Sequence, residues 1–113
     1  YLKWREHLKQ FDAQKAREIL RAVGYHDALV SRVQQLIVKR DFPRDEEGRV
    51  LEDALCLVFL ETQFVETVAK TGDEKMIGIL QKTWRKMTPA AQQIALGLAM
   101  TPAQRALIAK AIQ

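Results

Sequence analysis

VLEDALCLVFLETQF, residues 50–64, is the most apolar run of the chain, and two adjacent acids, Glu52 and Asp53, stand at its mouth. Its middle is apolar on every side, which predicts a central helix over about residues 50–70 that other helices surround. At helical spacing Asp53 shares a face with Cys56, Leu57, Leu60 and Phe64, so its carboxylate points toward the interior that those residues fill. An unpaired charge placed there costs several kcal/mol, so Asp53 should meet a cation, a metal or a set of donors, or lie near enough to the helix start to reach water. Glu52 is expected at the surface, in a first turn where the helix dipole favours an acid. Glu61 is expected to make a polar contact between helices.

Working outward, helices are predicted almost everywhere and strands nowhere. Trp4, Leu8, Phe11, Ala16, Ile19, Leu20 and Val23 recur at spacings of three and four, and Gly24 supplies a left-handed stop. This predicts a first helix over residues 2–23, with a candidate break near Asp12. Asp27 is placed as the cap of a second helix with Val30, Val33, Leu36 and Ile37 inward, ended by an exposed acidic loop, DFPRDEEG (41–48). TGDE (71–74) has capping-box spacing, with Thr71 and Glu74 opening a fourth helix. Thr88-Pro89 opens a fifth, and Thr101-Pro102 a sixth with Gln104 completing a second box. The predicted fold is all-α: a single domain spanning 1–113, a bundle of about six helices around a central apolar helix.

Composition bounds the function. A chain of 113 residues, 48% hydrophobic, suits one modest core. No apolar stretch reaches the roughly 18–20 residues of a bilayer span, so no membrane role is expected and the cytoplasm is the expected location. One cysteine, Cys56, excludes an internal disulfide and reads as a small buried hydrophobe. Residues 1–40 hold nine bases and four acids, 41–66 two and eight, and 67–113 seven and two. The bases are spread at helical intervals, so the net charge of +4 does not point to nucleic acid. KTWRKM (82–87) could set Trp84 among bases for stacking on a nucleobase, but Trp84 continues the apolar stripe of Ile77 and Leu80 and reads as core.

Asp12 lies between Leu8 and Ala16 on the predicted inward stripe. It is either a local cap at a helix break or, with Asp53, part of a pocket for a hard divalent metal or a basic side chain. Lys15 and Lys39 are the candidate charge partners. His7 on the first helix and His26 in the YHD turn read as exposed or capping residues. Two carboxylates without His form a poor transition-metal site.

YLKWREHLKQF (1–11), AREILRAVGY (16–25), LEDALCLVFLETQF (51–64) and EKMIGILQKTWRKM (74–87), in that order, resemble the C-terminal two-thirds of the family numbered 4202 among domains of unknown function. That family is in turn similar to the HD-domain metal-dependent phosphohydrolases, helical proteins in which His and Asp residues hold one or two divalent metals. The resemblance implies an HD-like bundle, with Asp12 through Gly24 matching one ligand-bearing helix and Asp53 matching the last metal-binding Asp. It also implies a divalent metal (Mg, Mn or Zn) in a complete domain. This chain departs from the pattern: Phe11-Asp12-Ala13 stands where the family has Phe-His-Ala, and Val38-Lys39-Arg40 where a further His is common. The chain opens on Tyr1 in what already reads as helix, so it is expected to be a piece of a longer family domain. The functional expectation is an HD-like domain without catalysis in this chain. The alternative is a phosphohydrolase whose other ligands come from an upstream segment or a partner subunit. Apolar faces left partly covered imply a homo-oligomer.

Overall fold

A computed structural model describes all 113 residues. The fold is all-α: α1 (Leu2–Ala22), α2 (Asp27–Ile37), α3 (Glu46–Val58), a π turn (Phe59–Gln63), α4 (Phe64–Thr71), α5 (Asp73–Lys86), α6 (Pro89–Leu96) and α7 (Pro102–Ala111). Because α3 runs through the π turn into α4 without a break in helical backbone, the rods number six, as the periodicity predicts. The chain forms two compact units, Tyr1–Gly48 and Arg49–Gln113.

In the first unit α1 packs on α2 through Ala13 and Val30, both buried. Gln34 stitches the pair, its amide donating to the Ala13 carbonyl at 3.2 Å and accepting from Arg17 at 3.4 Å. The face of α1 that meets α2 is therefore a small-residue face. Trp4, Leu8, Phe11 and Ile19, expected inward, are exposed on a second apolar face. The helix is also continuous through Asp12, with no break there. Gly24, at φ 91°, closes α1 as expected: its N–H reaches the Arg21 carbonyl while that of Tyr25 reaches Leu20. Asp27 does not cap α2. His26 holds the cap position, and Asp27 accepts from the Arg21 guanidinium at 3.1 Å.

α2 ends with the same bond pattern as α1, but Lys39 takes the left-handed position at φ 55°, where a side chain costs roughly 1–2 kcal/mol that a glycine would not. The following loop is shorter than predicted, because Glu46–Gly48 already belong to α3. Asp45 accepts the Glu47 N–H at 3.2 Å, a local start signal inside the acidic run. Arg32 then ties α2 to this start, donating to Asp45 at 2.7 Å and to Glu47 at 2.9 Å.

The second unit is built on a strict spacing of four: Glu52, Cys56, Leu60, Phe64 and Val68 all turn inward. A pure α-helix gains about 40° for every four residues, so such a row would spiral off the core within a few turns. The wider π turn at Phe59–Gln63 takes up that drift and returns Phe64 to the face of Leu60. Met76, Leu80, Met87, Ala91, Ala95, Leu107, Ile108 and Ala111 complete the core around this row. Trp84 packs against it, as its stripe predicts. Gly72, at φ 83°, breaks α4 from α5 and is itself the cap residue; Thr71 makes no box with Glu74, since its hydroxyl donates back to the Thr67 carbonyl. Glu61 is exposed.

The Arg32 cluster carries a pH signature. The hydrogen bond from Arg32 holds the Asp45 carboxyl below its ordinary range, and Asp45 and Glu47 hold the guanidinium more basic in return. A depressed carboxyl contributes stability that is complete above its ordinary value and fades as pH falls through the lowered one. Amide signals of the α2–α3 junction should therefore stay unchanged between about pH 5 and 8 and report loosening only below about pH 4 in an acid titration followed by NMR.

Candidate functional site

The Asp53 carboxylate has one residue as its hydrogen-bonding partner, and that residue begins another helix. One oxygen accepts the Thr88 backbone N–H at 2.9 Å, and the other accepts the Thr88 hydroxyl at 2.6 Å. The same hydroxyl oxygen accepts the Ala91 N–H at 3.3 Å, so Thr88 is at once the N-cap of α6 and a clamp on α3.

The reason lies in two nearly identical starts. At Thr101-Pro102-Ala103-Gln104 the glutamine, three residues into the helix, reaches back and accepts the Thr101 N–H at 2.8 Å, closing a capping box. At Thr88-Pro89-Ala90-Ala91 that position is alanine, 3% exposed and packed in the core, with no acceptor and no room for one. The orphan N–H of Thr88 must be satisfied from outside its own helix, and Asp53 supplies the acceptor from 35 residues upstream. A helix start is also where negative charge is favoured.

Around this clamp α3 touches the α5–α6 corner at two further points. Glu52 is buried, only 5% exposed, with the Lys86 ammonium 3.9 Å from its carboxylate. The expectation of a surface Glu52 is thus overturned: the first turn of α3 lies four residues earlier than predicted, so Glu52 falls mid-helix on the inward row. Cys56 is buried with its sulfur 4.0 Å from the Thr83 carbonyl, a small core side chain as expected. From the other side, Gln92 donates to the Trp84 carbonyl at 2.9 Å and closes the end of α5.

The remaining residues singled out by sequence lie in the first unit. Asp12 is exposed on α1. Lys15 pairs with Glu18 at 3.5 Å and lies 5.7 Å from the Phe11 ring centre. Lys39 sits 5.9 Å from the Phe42 ring. His7 and His26 are exposed. Nowhere do three or more His, Cys, Asp or Glu side chains gather in a way that could hold a metal ion. The sequence reading singled out Asp53 and its inward direction. It took Thr88 only as a helix start, placed Glu52 at the surface and did not single out Lys86, although TPAA set against TPAQ carried the signal that one of the two starts lacks its own acceptor.

Fold and site together define an all-α helical protein in which the acid Asp53 is committed to a helix start. Within that class the chain belongs to the domain of unknown function family DUF4202, whose model matches residues 1–108. No curated protein and no solved structure matches it.

The clamp can be tested by stability. Asp53→Ala should cost about 2–3 kcal/mol, the loss of two charge-assisted hydrogen bonds to Thr88, measured by urea unfolding. Thr88→Ala should cost about 1–2 kcal/mol in the parent and less in the Asp53→Ala background, where only the cap on Ala91 is left to lose.

Proposed function

We propose that this chain is a non-catalytic association domain: an HD-like helical bundle in which the acid corresponding to a metal-binding Asp has become a structural clamp. The observation that carries this reading is the occupancy of both Asp53 oxygens by Thr88. A metal-binding carboxylate in a hydrolytic site presents lone pairs to a cation beside several other ligands and an open position for water. Asp53 instead accepts, one on each oxygen, a backbone N–H and a hydroxyl that belong to the start of α6. The uncovered face of α1, with Trp4 59% and Phe11 52% exposed, supplies an association surface. The reading places the domain in the cytoplasm, where a chain with a single cysteine fits, and assigns it neither nucleic acid nor membrane as partner; no helix is long and apolar enough to cross a bilayer.

Elemental analysis of the purified chain and a phosphate-ester assay with Mg, Mn or Zn test this directly. The expected outcome is no metal retained at stoichiometric level and no turnover above buffer, with Asp53→Ala changing stability alone. Metal bound one to one and lost in Asp53→Ala would overturn the reading in favour of a phosphohydrolase completed by ligands from an upstream segment or a partner subunit.

A further inference from the structure

The second apolar face of α1 has a pattern that a surface helix does not need. Tyr1, Trp4, Leu8 and Phe11 follow one another at three and four residues, the seam of a paired helix, and Leu8 is 40% exposed between its two more exposed neighbours. The seam continues into Lys15. Beside it, on one flank and seven residues apart, stand Arg5 and Asp12. The opposite, small-residue face of α1 is already used against α2, so the seam is surplus to the packing of this unit.

We propose that this seam pairs with the same seam of a second copy of the chain, the two α1 helices running antiparallel about a two-fold axis. The inference rests on the reading of the chain as an association domain and names its partner. In that register Leu8 of one copy lies across from Phe11 of the other, and Trp4 lies across from Lys15. Arg5 falls beside Asp12 of the second copy, and the two-fold repeats each contact. The charges therefore complement themselves: both Arg5–Asp12 pairs are of opposite sign, and each Lys15 ammonium meets a Trp4 ring, a favourable cation–π arrangement. A parallel pairing would set Lys15 against Lys15 in the seam. The antiparallel one explains Asp12, an acid at the edge of an aromatic stripe with no partner inside its own unit. Aromatic side chains bury about 150–250 Å² each, so the exposed parts of Tyr1, Trp4 and Phe11 in two copies, with Leu8 and the stems of Arg5 and Lys15, come to roughly 1,000 Å². That is the lower bound of a specific interface and fits a reversible dimer.

Sedimentation velocity across a concentration series, on the parent chain and on charge-swapped variants, tests this. The parent should show a monomer–dimer equilibrium. Arg5→Glu alone and Asp12→Arg alone should each weaken it by roughly three- to tenfold, since each swap places like charges together twice per dimer, and the double swap should restore it. Both residues are exposed, so in all three variants circular dichroism should stay at the parent value, as should the melting temperature at dilutions where the chain is monomeric. A chain that is monomeric throughout the series overturns the proposal, as does a dimer indifferent to both swaps. A monomer whose Trp4 fluorescence shifts on phosphatidylserine vesicles would assign the seam to a membrane surface and overturn it too. None of these results bears on metal content or hydrolysis, which test the non-catalytic reading separately.

Discussion

The second unit depends on one debt of the backbone: an N–H at the start of α6 that its own helix cannot satisfy. Proline follows Thr88, and the residue three places on is a core alanine, so the acceptor has to arrive by tertiary contact. Asp53 provides it with a full charge, at a helix end where that charge is favoured, and a second bond to the Thr88 hydroxyl fixes the rotamer that caps Ala91. The position of α3 against the α5–α6 corner follows from that contact, and with it the burial of Glu52 beside Lys86 and of Cys56 beside Thr83.

The helices were legible where a local signal suffices. Gly24, Thr88-Pro89 and the Thr101–Gln104 box each act within a few residues, and each was readable from the sequence. Errors fell where two local readings compete. Asp27 and Thr71 are good cap residues by type, yet Arg21 claims the first and the Thr67 carbonyl the second. DFPRDEEG reads as loop by composition, yet Asp45 starts a helix inside it. The site was half legible: helical phase gives the direction of Asp53, but the identity of its partner is a matter of which helix end comes to meet it, and periodicity carries no such information.

Glu52 and Asp53 show how a shift of four residues in one helix start reassigns two acids. With the helix beginning at Val50, Glu52 is a first-turn surface acid; beginning at Glu46, it lies mid-helix on the inward row and needs a cation. α1 makes a related point. Its apolar residues outnumber what one buried face can use, and a single periodic stripe hides the fact that Ala13 is buried while the aromatics stay outside.

The row of inward residues at intervals of four gives the long helix an uneven tolerance to changes in length. Removing one residue between Leu60 and Phe64 would shorten that interval to three, a spacing an ordinary α-helix meets with both halves still facing the core. The same removal on either side would rotate the remaining turns by about 100° and swing core residues into solvent. The π turn is thus the place in this helix where the chain can lose a residue without losing its register, a slack link in an otherwise rigid rod.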